Sequence, residues 1–281
     1  MSKLYGLLGC PVSHSMSPAM HNDLFLHYKL NYYYHAFHVE NEDLEMAVNG
    51  LRALGVSGFN VTIPHKIAII KYLDGIDGVA ANIGAVNTVV NIDGKLKGYN
   101  TDGDGFIKSL ESCVDGLLQN KKILIIGAGG AARAILFSLE AIDVHAIDVC
   151  NRTLSSALQL IAECSYKLSG SGISIIDAEN RLNEYDIIIN TTSVGMYPNL
   201  EEIPISLTNL SPSTIVSDII YNPLETKLLL EAKRKGSITL NGIGMFVNQG
   251  ALAFEKWTGI FPDTRRMEEL VINKLGGHAE C

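Results

Sequence analysis

The segment that most restricts this chain is Lys122-Ile-Leu-Ile-Ile126, which runs directly into Gly127-Ala128-Gly129-Gly130-Ala131-Ala132 and a helical pattern from Arg133 to Glu140. Its unbroken apolar run reads as a strand buried on both faces, which requires helices packed on each side of its sheet. The glycines that follow have G-x-G-x-x-A spacing. The first admits the tight turn, the second lets the backbone approach a pyrophosphate, and the small third position lets helix and strand pack closely. The helix N-terminus then faces the negative charge. Strand, glycines and helix in this order predict a Rossmann-like α/β unit with a dinucleotide site at Gly127, Ala128, Gly129, Gly130 and Ala131.

Strand-length apolar runs alternate with helical patterns along most of the remaining sequence, as expected for α/β folding with largely parallel sheets. Residues 3–9, 31–39, 58–63 and 85–92 read as strands, with helices near 18–29, 42–54 and 65–73. Asp93-Gly94 has the form of a hairpin turn leading to a strand over Lys95–Tyr99. Further strands are expected at 122–126, 144–150, 173–176, 186–190 and 215–220, and the last forty residues read as helical. At 281 residues the chain exceeds the usual size of a single core. Two domains are therefore expected, the first closing near residue 104 and the second opening with the strand at Lys122.

A net charge of -8 with no Lys/Arg-rich run excludes a phosphodiester backbone or an anionic membrane surface as a partner. The partner expected is a small molecule. Five cysteines at 10, 113, 150, 164 and 281 form no CxxC pair, and the eight histidines show no metal spacing. That usage suits reduced thiols and no structural metal. The start, Met1-Ser2-Lys3, followed by a short apolar run broken at Gly9 and Pro11, does not have the form of a secretion signal, so a cytoplasmic, unprocessed protein is expected.

The choice of dinucleotide turns on the end of the second strand. Asp148 lies twenty-one positions after Gly127, the spacing of an acid that would bind an NAD ribose. The apolar pattern nevertheless continues through Val149 and Cys150, which places the strand end at Asn151-Arg152-Thr153. An arginine there can pair with a 2′-phosphate, so NADP is the expected cofactor. The competing account makes Asn151 a helix cap and Arg152 a solvated side chain.

Three other segments carry candidate chemistry. In His14-Ser15-Met16-Ser17-Pro18, Ser17 with Pro18 reads as a helix cap and first-turn proline, while Ser15 and Ser17 together could hold a carboxylate at the helix N-terminus. The residues alone leave both accounts standing. Asn60 to Lys66 leads a strand into a helix, placing Lys66 in a first turn whose dipole would lower its pKa, as suits a general acid; a solvated lysine is the alternative. Asn100-Thr-Asp102-Gly-Asp104-Gly105 with Glu111 has calcium-loop spacing, except that Asn100 replaces the first acid. The strand-like alternation of residues 85–99 leaves no incoming helix, so Asp102 reads instead as a helix cap or a partner for a lysine. Later, Met245 and Gln249 lie one helical turn apart, and Tyr221 precedes Asn222-Pro-Leu-Glu225, itself a helix-start pattern with Glu at N3.

Taken in order, GCPVSHSMSPAMHN, GFNVTIPHK, GAVNT, GYNTDGDG, IIGAGGAARA, NRT, TTSVGM, YNPLET and GMFVNQGA resemble the shikimate dehydrogenase family across essentially the whole chain. The resemblance implies reversible NADPH-dependent reduction of 3-dehydroshikimate, by an N-terminal substrate domain (residues 1–104, completed by C-terminal helices over 241–281) and a Rossmann-like domain (residues 105–240) with the active site between them. It implies Ser15 and Ser17 as carboxylate ligands, and Thr62, Asn87, Asp102 and Gln249 as hydroxyl ligands. Lys66 becomes the acid/base paired with Asp102, Tyr221 lies near the carboxylate, and Gly242 and Met245 border the nicotinamide. Asn151, Arg152 and Thr153 take the NADP-specific end, and the protein is expected to act as a monomer or homodimer. One departure is Ser156, which stands where NADP-binding members commonly carry a second arginine. Losing such a contact is worth about 1.5–3 kcal/mol. The nearest alternative is a quinate/shikimate dehydrogenase that uses NAD.

Overall fold

The computed structural model describes residues 2–114, 117–144, 146–164 and 169–276, so Cys281 and His145, inside the expected 144–150 strand, lie outside the described residues. The chain divides into two compact units: Met1–Asp102 with Val247–Cys281, and Gly103–Phe246.

The first unit contains β1 (Lys3–Gly9), α1 (Ser17–His27), β2 (Tyr32–His38), α2 (Leu44–Ala53), β3 (Gly58–Val61), β4 (Gly75–Ile76), α3 (Gly78–Ile83), β5 (Thr88–Ile92) and β6 (Lys95–Tyr99). Its sheet has the order β2-β1-β3-β5-β6-β4. The expectation of largely parallel pairing holds only in part here. β1 is parallel to β2 and β3, but β5 is antiparallel to both β3 and β6. The turn accounts for the β5–β6 pair: Asp93 and Gly94 have φ of 52° and 86°, the left-handed pair that closes a two-residue hairpin, whereas a parallel connection needs a longer crossover.

Two helix expectations also change. The 65–73 segment forms only a 3-10 turn at Ala68–Tyr72, so Lys66 precedes it in a turn. α1 starts at Ser17 itself, with Met16 as its cap residue and no side-chain cap.

The second unit follows with α4 (Asp102–Glu111), β7 (Ile123–Ile126), α5 (Gly130–Ala141), β8 (Ile147–Cys150), α6 (Leu154–Ala162), β9 (Gly172–Ile173), α7 (Ile175–Asn180), β10 (Ile187–Asn190), β11 (Ile215–Asp218), α8 (Lys227–Arg234) and β12 (Ile238–Leu240). Its sheet is wholly parallel in the order β12-β11-β10-β7-β8-β9. The apolar run of β7 divides between two cores: Ile123 and Ile125 pack in one, Leu124 and Ile126 in the other. Period-two alternation in a strand covered on both faces produces this division. The strand order reverses at β7, which places the glycine turn at the switch point where doubly wound sheets bind ligands.

Two local expectations fail on capping. Residues 173–176 give only the last residue of β9 and then the start of α7, because Ser174 caps that helix by accepting from Asp177 N. Asn222 does not start a helix; Thr226 caps α8 by accepting from Leu229 N. β12 was not foreseen.

The chain ends in α9 (Ile243–Thr258) and α10 (Thr264–Gly276). In the first unit Trp257 packs against Gly58, where a Cβ would sit 2.4 Å from its indole nitrogen, and that nitrogen donates to the Val89 carbonyl at 3.0 Å. Beside it His21 is fully buried, its ring stacked on Tyr34 with centroids 4.6 Å apart and tilted against Trp257 at 5.3 Å. Neither ring nitrogen has a hydrogen-bond partner. Among the described residues no helix is long and apolar enough to cross a membrane.

Burial pushes the His21 pKa down to about 3, against about 6.5 for an unfolded histidine. Above pH 6.5 the ring is neutral in both states and imposes no proton-linked penalty. Below it the unfolded chain takes up a proton that the native ring refuses, so stability falls as pH drops, by up to about 1.4 kcal/mol per unit. Urea unfolding followed by Trp257 fluorescence should therefore show His21→Phe gaining about 2 kcal/mol on the wild type between pH 7 and pH 5. A difference that does not change with pH would contradict the buried neutral ring.

Candidate active site

The chemistry-bearing side chains of the first unit meet where β5 starts and β6 ends. The hairpin sets Thr88 opposite Tyr99, so Asn87, just before β5, faces Asn100–Asp102, just after β6. Lys66 joins them because its carbonyl accepts from Val86 N at 2.8 Å. Its ammonium donates to Asp102 Oδ2 at 2.6 Å, with side-chain exposures of 17% and 6%. A pair this dry is costly unless its remaining hydrogen-bonding groups are satisfied. Asp102 Oδ1 accepts from Asn87 Nδ2 at 2.8 Å, and its own backbone N–H donates to Asn100 Oδ1 at 3.0 Å.

The Asn87 amide has only one workable orientation. Its Oδ1 accepts from Thr101 N at 2.8 Å, an obligate donor, so its NH2 must face Asp102. Gln249 Oε1 lies 3.5 Å from the same NH2, and the Gln249 carbonyl accepts from the Thr101 hydroxyl at 3.0 Å.

These contacts correct one expectation and agree with another. Lys66 does not lie in the first turn of a helix, and its charged neighbour is Asp102. The calcium-like spacing is not a loop, since α4 begins at Asp102 and that carboxylate is already engaged.

The network extends to residues that the spacing did not single out. Thr88 donates to Asn87 Oδ1 at 3.0 Å, Asn60 donates to Thr88 Oγ1 at 3.1 Å, and Tyr34 donates to Asn60 Oδ1 at 2.7 Å. A continuous polar chain thus connects Tyr34 on β2 to Lys66. Ser15 Oγ accepts from Ser17 N at 3.2 Å, which leaves its hydroxyl proton to donate, and Ser17 is buried rather than capping. Thr62 follows β3 directly and donates its N–H to Leu8 O at 2.8 Å. It crowds Gly9 so closely that a Cβ there would lie 2.3 Å from its methyl. Tyr34, Asn60, Thr88 and Thr101 carried one available signal, that of polar residues at buried strand positions, and it points to a network rather than to a ligand.

In the second unit, Gly127 has φ of 109° and a Cβ there would meet Thr191 Oγ1 at 2.6 Å, so only glycine fits the turn. Gly129 is the cap residue of α5, has no side-chain cap, and faces open space where its Cβ would be. The first-turn N–H groups over Gly130, Ala131 and Ala132 are therefore open to an anion, and half-buried Ala128 completes the turn. These are the features a pyrophosphate requires.

The nearby acid does not serve as a ribose ligand. Asp148 sits inside β8, 6% exposed, and accepts from Tyr185 Oη at 2.7 Å, Ser171 N at 2.9 Å and Arg181 at 3.2 Å. β8 ends at Cys150, after which Arg152 and Thr153 are exposed. Asn151 does not cap α6. Its side chain donates to the Thr153 carbonyl at 3.1 Å, and Thr153 is the cap residue. Ser156 lies half-buried in α6. The donor set thus fits an NADP 2′-phosphate at Arg152 and offers no carboxylate for NAD.

Gly242 is indispensable for space, since a Cβ would lie 2.1 Å from the Ile219 carbonyl. Met245, on α9, is 8% exposed and packs into the core of the second unit. Tyr221 stacks on Phe246 with centroids 4.5 Å apart. The loop before it hangs on Asp218, whose buried carboxylate accepts from Asn190 Nδ2, Ile220 N and Thr226 Oγ1 at 2.8–3.1 Å. Burial raises the Asp218 pKa to about 6.

Comparison with known proteins agrees with this geometry in both units. Family models match over residues 7–89 (shikimate dehydrogenase substrate binding domain), 110–201 (shikimate / quinate 5-dehydrogenase) and 242–272 (shikimate 5'-dehydrogenase C-terminal domain). A shikimate dehydrogenase (NADP(+)) from Geobacillus sp. (strain WCH70) is 60% identical over 277 residues, 99% of this chain and 100% of that one. Among solved structures, a shikimate dehydrogenase in complex with NADP+ is 46% identical with a TM-score of 0.91, covering 98% of this chain and 96% of that one. The Listeria monocytogenes shikimate 5-dehydrogenase in complex with shikimate and NAD is 38% identical with a TM-score of 0.86, covering 96% of each chain. With full-length identity of this order and both architectural units matched, the chain belongs to the shikimate dehydrogenase family.

Proposed function

We propose that this protein catalyses the reversible, NADP-dependent reduction of 3-dehydroshikimate to shikimate, in aromatic amino-acid biosynthesis. The observation that carries the chemistry is the 2.6 Å contact between Lys66 and Asp102 inside the Asn87 network. In this reading Met1–Asp102 with Val247–Cys281 is the substrate domain and Gly103–Phe246 the dinucleotide domain. Gly127 to Ala131 hold the pyrophosphate, Asn151, Arg152 and Thr153 hold the 2′-phosphate end, and Gly242 and Met245 border the nicotinamide. The reduced nicotinamide, when bound, supplies the hydride.

The chain's own residues supply position and the proton. Ser15 and Ser17 take the substrate carboxylate with Tyr221, and Thr62, Asn87, Asp102 and Gln249 take its hydroxyls. As hydride reaches the carbonyl carbon, negative charge gathers on the carbonyl oxygen. Lys66 neutralises it by donating a proton, and in the reverse direction accepts that proton from the alcohol. Asp102 holds the ammonium in place through both directions, and Asn87 holds Asp102. The cysteine usage supports a cytoplasmic enzyme, and the family resemblance implies a monomer or homodimer.

The first test is the initial rate at the reduced-nicotinamide absorbance band, with shikimate and quinate each offered NADP and NAD. Shikimate with NADP should be fastest, and Arg152→Ala should raise the KM for NADP by roughly ten- to a hundredfold while leaving that for NAD nearly unchanged. Quinate with NAD matching that rate, or an Arg152→Ala variant indifferent to the 2′-phosphate, would overturn the substrate and cofactor assignments. Lys66→Ala should lower kcat by about 10²–10⁴ while shikimate still binds in equilibrium dialysis. Binding and turnover lost in equal proportion would make Lys66 a binding residue instead.

A further inference from the structure

At the C-terminal ends of β1 and β2 three metal-ligating side chains of different chemistry converge. The strands pair in parallel with Gly9 opposite His38. Val39 turns inward: its N–H donates to the Gly9 carbonyl at 3.1 Å, and its own carbonyl accepts from the buried His65 ring at 2.6 Å. Period-two alternation then sends His38 and Glu40 to the opposite side together. Cys10, one residue beyond Gly9, is anchored by its N–H to Ile63 O at 3.0 Å and faces them. Cys10 Sγ lies 3.5 Å from His38 Nε2 and 3.2 Å from Glu40 Oε2, and His38 Nε2 lies 3.0 Å from Glu40 Oε1.

We infer that Cys10, His38 and Glu40 form a binding site for a zinc-type divalent cation, made of residues that have no part in the proposed reaction. In a tetrahedral site with Zn–S of about 2.3 Å and Zn–N or Zn–O of about 2.0–2.1 Å, neighbouring ligand atoms stand roughly 3.3–3.5 Å apart. The thiol and imidazole stand at that separation already, the carboxylate meets them through one oxygen each, and one ligand atom from each residue lies within 4.8 Å of the others, so a turn of the carboxylate presents a single oxygen to the ion. A thiolate, an imidazole and a carboxylate suit zinc and its neighbours in the first transition row, whereas magnesium and calcium require oxygen donors. Thiolate and carboxylate together balance the ion's charge, and Glu42 adds a negative field at Cys10. His38 and Glu40 have side-chain exposures of 54% and 58%, so the fourth position is open to water, as in sites with three protein ligands. Backbone pairing already fixes the three positions, and binding needs only small rotamer adjustments. On binding, the Cys10 thiol loses its proton to solvent and no electrons are transferred. The ion clasps the ends of β1 and β2.

The full chain, stripped with a chelator, is titrated with Co²⁺ and then with Zn²⁺. One Co²⁺ per chain should bind with a thiolate-to-metal charge-transfer band that Zn²⁺ abolishes, and Zn²⁺ should raise the Tm. Cys10→Ser should remove the band and weaken zinc binding by roughly a hundredfold, and His38→Gln should weaken it measurably. Circular dichroism of both variants establishes that they fold. Absence of the band in the wild type, or zinc affinity unchanged in both folded variants, overturns the site.

Discussion

A lysine and an aspartate held 2.6 Å apart, both largely out of water, set the terms for the rest of the first unit. Removing one partner from such a pair leaves an uncompensated charge, worth about 3–5 kcal/mol when fully buried. The surroundings must therefore satisfy Asp102 completely and keep Lys66 aimed at it. The β5–β6 hairpin does this by bringing Asn87 against residues 100–102, and the Thr101 N–H permits only one orientation of the Asn87 amide. The charge pair, the amide and the hairpin are one object. The positive φ of Asp93 and Gly94, some distance along the sheet, is part of what the active-site geometry requires.

The same network runs on from the charge pair into the sheet. From Tyr34 through Asn60, Thr88 and Asn87 to Asp102 and Lys66, each hydroxyl or amide engages the next. Buried polar chains of this kind are rigid when fully satisfied, because each bond polarises its neighbour and no member can rotate alone. In the second unit the constraint is steric. Gly127 and Gly242 stand where no Cβ fits, and the unobstructed face of Gly129 leaves the α5 amides open. Asp148, engaged by Tyr185, Ser171 and Arg181, is removed from cofactor recognition, which leaves the loop after β8 to choose the dinucleotide.

Much of this was legible in the residues. The β7 run and its glycines gave the doubly wound sheet, since an uninterrupted apolar strand and that glycine spacing have few other uses, and the nine ordered motifs gave the family and its reaction. The mixed first sheet was less legible. Asp93-Gly94 announced the hairpin, but nothing local said that β5 would run antiparallel to β3. Lys66 was assigned to a helix because the apolar pattern of 65–73 has a helical period, while the chain makes only a 3-10 turn there. Capping decided α7 and α8, at Ser174 and Thr226, although the apolar run Ile173–Ile176 has the form of a strand and Asn222-Pro-Leu-Glu225 that of a helix start. The Lys66–Asp102 contact spans thirty-six positions, and no spacing rule reaches that far. Tyr34, Asn60, Thr88 and Thr101 were missed because each is an ordinary polar strand or loop residue until the fold brings them together.

The central claim is that Lys66 and Asp102 act as a single unit in proton transfer. A double-mutant cycle on kcat/KM with Lys66→Ala, Asp102→Ala and the combined variant tests this directly, because residues that work through each other give strongly non-additive losses. The account predicts that the double variant is no more than about threefold slower than the worse single variant. Losses that multiply would contradict it and would make the 2.6 Å contact a structural ion pair with two independent contributions to the reaction.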